Sequence, residues 1–161
     1  MSKTGKILLI IPLMTFALYG TAPGEKAPAI LMKTSAGAVC NPGKQGREKP
    51  LILSFFSHTC QPCMMEVPEL QALEGRGADI ALVADAGTDE RAAAVFFEKI
   101  RKTTGTKITL PVVYDRYGDI KKSFGVTSFP TLFLIRKDAT IGLRFTGFKP
   151  ENMDELKKSL N

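Results

Sequence analysis

Two of the three cysteines in this 161-residue chain, Cys60 and Cys63, stand three residues apart in SHTCQPCMMEVPEL, residues 57–70. Thiols at this spacing can hold a soft metal ion, close a structural bridge, or cycle between dithiol and disulfide. A structural zinc site needs four ligands, whereas the chain adds only Cys40 and one histidine, His58, to the pair. A non-enzymatic metal-binding role stays open as an alternative, with His58, Cys60 and Cys63 offered to copper(I), which favours thiolates. A purely structural bridge here would close a very small loop, and the entropic gain from a cross-link grows with loop length.

The redox reading gives more of the residues a task. Cys60 falls where an apolar strand ends and a helix begins. The first turn of a helix has unpaired N–H groups and a partial positive charge, and both favour a thiolate. Cysteines so placed have pKa values of roughly 3.5 to 7.5 instead of about 8.5. Cys60, at the exposed end, is the expected nucleophile. Cys63, one turn further in, is expected to attack a mixed disulfide on Cys60 and release the product. Pro62 suits the first turn, where its missing N–H does little harm. A protonated His58 would stabilise the Cys60 thiolate, the alternative being a solvated loop histidine. Cys40 is expected to be buried and inert, the alternative being a bridge to another chain.

The elements that must position this motif follow from hydrophobic period. KPLILSFFS, residues 49–57, is a near-continuous apolar run and reads as a strand buried on both faces. After it, Cys63, Val67, Leu70 and Leu73 mark one helical face. Residues 78–86 form the next central strand. Thr88-Asp89-Glu90 starts a second helix, read as a capping hydroxyl followed by acids in the first turn, with Ala93, Phe96, Phe97 and Ile100 inward. Residues 108–115 read as a strand bent at Pro111, residues 118–126 as a short helix ending near Gly125, and TLFLIRK with TIGLRFTGF as a hairpin turning at Asp138-Ala139. Pro150 opens a last helix with Met153, Leu156 and Leu160 on one side. Before all of these, residues 29–34 read as a short strand leading into an early hairpin. Strands alternating with helices imply an α/β fold: a central mixed sheet with helices on both faces, closed by an antiparallel pair.

Bulk properties narrow the function classes. Hydrophobic residues make up 44% and charged residues 24% of the chain, as in an ordinary globular domain. The net charge of +6 is scattered, so no nucleic-acid partner is expected. Lys3 and Lys6 precede an apolar run over residues 7–20, the pattern of an export signal. The run is short for a membrane span, which takes about 20 apolar residues. Residues 1–22 are therefore read as a signal peptide or N-terminal membrane anchor, and residues 23–161 as one domain. No cysteine follows the apolar run closely enough for a lipoprotein. The domain is expected outside the cytoplasm, in the periplasm or on the outer face of the inner membrane.

A CxxC beside a strand–helix–strand pattern is a thioredoxin-like signal. Ser128-Phe129-Pro130-Thr131, directly before the strand LFLI, resembles the cis-proline loop of that fold, the alternative being a trans proline at a strand start. Pro68, five residues past Cys63, stands where the thioredoxin family also has a helix proline, which should kink the helix. Gly24-Glu25-Lys26-Ala27-Pro28, Glu66-Val67-Pro68 and LPVVYDRYGDIKKSFGVTSFPTLFLI narrow the resemblance to exported TlpA/ResA-like thioredoxins, over residues 24–158.

This resemblance implies a thioredoxin-like fold with an N-terminal strand or hairpin extension and an inserted strand–helix segment. It implies an exported thiol–disulfide oxidoreductase that reduces disulfide-containing protein substrates, often for cytochrome c maturation, with electrons from a membrane thiol donor. No cofactor is called for, no metal is placed, and a monomer is expected. Cys60 and Cys63 become the redox disulfide, Phe129 and Pro130 the substrate-binding loop, and Glu66 the auxiliary acid/base. Three departures stand out. The family's tryptophan before the first cysteine is Thr59 here, its buried acid six residues before that cysteine is Ser54, and the glycine after it is Gln61. A disulfide-forming oxidant is the nearest alternative within the class. A peroxidase is weaker, since peroxiredoxins place Pro and Thr or Ser seven and three residues before their cysteine, and this chain has Leu53 and Ser57.

Overall fold

The computed structural model describes residues 21–160. The leader expected over residues 1–22 lies, apart from Thr21 and Ala22, outside the described residues. Among the described residues no helix is long and apolar enough to cross a membrane.

The elements run β1 (Met32–Lys33), β2 (Val39–Cys40), β3 (Leu51–Phe56), α1 (Cys63–Gln71), β4 (Asp79–Ala84), α2 (Glu90–Thr104), β5 (Val112–Tyr114), α3 (Asp119–Ser123), β6 (Thr131–Ile135), β7 (Ile141–Thr146) and α4 (Pro150–Ser159). Strands β5, β4, β3, β6 and β7 form one sheet in that order, and β1 pairs with β2 in a small antiparallel hairpin. β3 is parallel to β4 and antiparallel to β6, which makes the sheet mixed. The expected order of elements is present in full.

All six residues of β3 are buried, as its unbroken apolar run implies. Side chains alternate across a strand, so its two faces serve two cores. Ile52 and Phe56 face a layer built with α1, α2 and α4, including Val67, Leu70, Phe96, Ile100, Met153 and Leu156. Leu51, Leu53 and Phe55 face a second layer with Ile120, Phe124 and Phe133, closed by Met32 of the hairpin. There Phe55, Phe124 and Phe133 form a ring cluster with centroids 5.0 to 5.8 Å apart, a spacing at which aromatic pairs add to simple burial.

Several element ends differ from the expected ones, each with a local cause. Only Val112–Tyr114 of residues 108–115 is strand. Pro111 has no N–H for the ladder, and before it the Gln71 side chain replaces a partner strand, accepting from Thr109 N–H at 2.7 Å and Leu110 N–H at 3.3 Å. The cap of α2 is Asp89, whose carboxylate accepts from Ala92 N–H at 2.8 Å, and not Thr88, whose side chain is buried elsewhere. Phe97 is only partly buried. The strand expected over residues 29–34 shrinks to Met32–Lys33, because its partner β2 is equally short. Leu160 lies past the end of α4 and is partly buried.

The Phe cluster provides a test of the second layer. Phe55→Ala should destabilise the protein by about 3–5 kcal/mol in urea unfolding. A loss below 1 kcal/mol would contradict the packing described.

Candidate active site

The backbone leaves β3 at Phe56, whose carbonyl accepts from Asp85 N–H at 2.9 Å at the end of β4. A tight turn follows, closed by Cys60 N–H donating to the Ser57 carbonyl at 3.0 Å. Pro62 has helical angles, φ −63° and ψ −26°, and caps α1 without a side-chain bond. A sulfur fills that role: Cys63 N–H points at Cys60 Sγ, 3.2 Å away. The regular helix thus starts at Cys63 and Cys63 does not lie one turn inside it, because the turn at residues 60–62 precedes the first helical hydrogen bonds.

Cys60 and Cys63 are joined as a disulfide with Cα atoms 5.3 Å apart. Cys60 is half-buried while Cys63 is fully enclosed. One sulfur is thus the outer and the other the inner member of the pair. The helix-start N–H beside Cys60 would hold a thiolate there by a charge-assisted hydrogen bond.

Glu66 lies three residues past Cys63, on the same side of α1, and only 1% of its surface is exposed. It is not the surface glutamate that its place early in a helix would allow. The only hydrogen-bond partner of its carboxyl among the described residues is the equally buried Ser54, whose hydroxyl donates to Oε1 at 2.5 Å. Alternation along β3 puts Ser54 on the α1 face between Ile52 and Phe56, so the two polar groups meet within an apolar layer. Burial pushes the Glu66 carboxyl up to about 7, against the lowering effect of the Ser54 hydrogen bond. The buried acid missing at position 54 is thereby supplied from the facing helix.

The Phe129–Pro130 peptide is cis. Pro130 is buried and Phe129 partly so. The Thr131 hydroxyl donates to the Ser128 carbonyl at 2.8 Å, and Gly147 N–H donates to the Pro130 carbonyl at 2.8 Å, pinning both sides of the loop. Phe129 and Cys60 pack against the same core layer. The structure therefore assembles Cys60, Cys63, Glu66 and Phe129–Pro130 at one end of the sheet.

His58 is exposed and tied down: Thr88 Oγ1 accepts its backbone N–H at 3.1 Å and meets ring Nδ1 at 3.0 Å. Among the described residues no three His, Cys, Asp or Glu side chains converge at metal-binding spacing. The Ser57 hydroxyl lies 3.1 Å from that of Thr59, and Leu53 is buried in the sheet. Cys40 is a free thiol in β2, only partly buried and not enclosed as expected, beside Leu51 and Asp79 at the opposite end of the sheet from Cys60. Burial pushes its thiol up, which keeps it protonated. No sequence motif marks Lys121, yet its ammonium lies 4.9 Å from the centroid of the Phe129 ring.

Comparison with known proteins agrees with this geometry. The sporulation thiol-disulfide oxidoreductase A of Bacillus subtilis is 28% identical, with 95% of this chain and 96% of that protein covered. Thiol-disulfide oxidoreductase ResA of Geobacillus thermodenitrificans is 26% identical, covering 90% and 86%. The crystal structure of StoA from Bacillus subtilis superposes with a TM-score of 0.62 at 26% identity, covering 83% of this chain and 100% of StoA. The fold is thioredoxin-like, and the chain is a thiol–disulfide oxidoreductase with its cysteine pair at disulfide distance. The family model described as AhpC/TSA matches residues 23–144, and the chain belongs to that family.

Proposed function

We propose that this protein reduces disulfides of extracytoplasmic proteins, with Cys60 as nucleophile, Cys63 as resolving thiol and Glu66 as the proton acceptor for Cys63. The observation that carries the reading is the contrast between the two sulfurs. One is half-exposed at a helix-start N–H, and the other is sealed one turn from a buried carboxyl. The basic start and apolar run of residues 3–20 support export, by signal or anchor. Phe129 and Pro130 present the loop against which an extended substrate segment lies. A membrane thiol supplies electrons, the protein acts as a monomer without nucleic acid or cofactor, and cytochrome c maturation is one pathway such chemistry serves.

The steps balance as a thiol–disulfide exchange. The Cys60 thiolate attacks one sulfur of a substrate disulfide, and the other substrate sulfur leaves as a thiolate. Cys63 passes its proton to the Glu66 carboxylate and attacks Cys60 Sγ. This forms the Cys60–Cys63 disulfide and releases the second substrate thiolate. The donor dithiol then returns two electrons and two protons.

Three measurements test the sulfurs. With dithiothreitol as donor the protein should reduce insulin, Cys60→Ser should abolish this, and Cys63→Ser should accumulate mixed disulfides on Cys60. Full activity of Cys60→Ser would sink the assignment. The reduction potential of the couple should fall below about −200 mV, while a value near −120 mV would establish the oxidant alternative. Stoichiometric metal in anaerobically purified protein, lost in Cys60→Ser, would instead favour the copper-binding alternative.

Glu66 has its own signature. The folded carboxyl keeps its proton from pH 4.5, the ordinary carboxyl value, to about 7, a range in which the unfolded one has lost it. The folded state then binds more protons, so stability should fall as pH rises through this window and level off above it. The total fall should be on the order of 3 kcal/mol. Glu66→Gln should flatten the profile and remove a rise near pH 7 in the rate at which Cys63 resolves a mixed disulfide. An unchanged slope in the variant would show that Glu66 is not the titrating group.

A further inference from the structure

The reading of Phe129–Pro130 as the substrate-facing loop leaves open what holds Phe129. We infer that Lys121 is a positioning residue for this loop, acting through the Phe129 ring. The inference rests on that reading of the loop, and the observations behind it are geometric.

Lys121 sits in the first turn of α3, and its backbone is held in place. The buried Asp115 carboxylate accepts from Lys121 N–H at 2.8 Å and from Ile120 N–H at 3.2 Å, which fixes the start of the helix. The ammonium of Lys121 donates to Asp85 Oδ1 at 3.0 Å. Asp85 is itself bonded through its N–H to the Phe56 carbonyl, where the chain leaves β3 for the redox turn. The same ammonium lies 4.9 Å from the centroid of Phe129, within the range of a cation–π contact. A single cation thus links three places: the end of the strand before the redox turn, the start of α3 and the ring before Pro130.

The strength of such a link depends on shielding. The Lys121–Asp85 side chains are 32% and 23% exposed, less than those of any other ion pair among the described residues. Fully solvated pairs contribute little; this one is half-shielded, and the anchored ammonium gives up less entropy when it meets the ring. A groove of about 390 Å³ lined by Asp85, Lys121, Gly125 and Thr127 opens beside the pair. The cation therefore stands at the edge of the surface that a bound substrate segment would cross. Its effect belongs to docking of a polypeptide and not to sulfur chemistry.

The test is a double-mutant cycle on the full chain with two substrates: insulin, which needs the loop, and hydroxyethyl disulfide, which is too small to use it. Lys121→Met should raise KM for insulin roughly two- to fivefold, the range of a cation–π contact at a partly exposed site. It should leave kcat and hydroxyethyl disulfide turnover unchanged. Lys121→Arg, which keeps the cation, should restore KM. In a Phe129→Leu background, Lys121→Met should add nothing further. Equal losses on both substrates, or fully additive effects in the double variant, would overturn the clamp. A second readout is independent of activity: the ε-methylene protons of Lys121 should show an upfield ring-current shift that Phe129→Leu removes. Absence of this shift would also overturn the clamp, whereas a wild-type chain that shows the shift but does not reduce insulin would sink only the substrate reading.

Discussion

The burial of every residue in β3 is the constraint on which the rest of the structure depends. A strand with both faces covered must bond its backbone to strands on either side and fill two apolar layers at once. It must also release its chain at one end, where the redox turn begins. Any polar side chain within it has to find its partner inside. Ser54 is the one such residue, and the carboxyl that accepts its hydrogen bond comes from α1. The central strand and the redox helix are therefore joined by a hydrogen bond between residues whose neighbours are otherwise apolar. The pairing costs desolvation of the carboxylate, and the carboxyl responds by holding its proton to near neutrality.

That arrangement separates the two sulfurs by environment more than by distance. Cys60 Sγ lies 3.2 Å from the Cys63 N–H at the start of α1, where electrostatics would favour a negative sulfur. Cys63 is sealed from water and has a protonatable group one helical turn away. In the proposed exchange the outer sulfur is the attacker and the enclosed one the resolver. The cis-proline loop, fastened by Thr131 and Gly147, packs against the same core layer as Cys60.

Much of this could be read from the chain. The apolar run of β3, the cysteine spacing at its end and the Ser128–Thr131 loop are local signals, and local signals survive folding. The helical period through Cys63, Val67 and Leu70 already implied that Glu66 shares their side of α1, but an acid early in a helix is as easily a solvent-facing one. Its burial became evident only with the register that sets Ser54 opposite. The α2 cap was ambiguous because Thr88 and Asp89 are both good capping residues, and the tertiary need of His58 for a partner decided between them. The start of β5 was overextended because a side chain, Gln71, did the work of a strand. The Lys121–Phe129 contact joins two elements with no sequence signal relating them, so only the folded chain reveals it.

The Thr88 hydroxyl has a consequence for the state of His58. Its oxygen accepts the His58 backbone N–H and also faces ring Nδ1. The hydroxyl has one hydrogen to give, and giving it to Nδ1 fixes the ring in one tautomer. A neutral His58 then carries its own hydrogen on Nε2. The ring nitrogen left free is a donor, and the lone pair that could bind a soft cation is already occupied. Ligation of a metal through either ring nitrogen would first require this hydrogen bond or this tautomer to be given up.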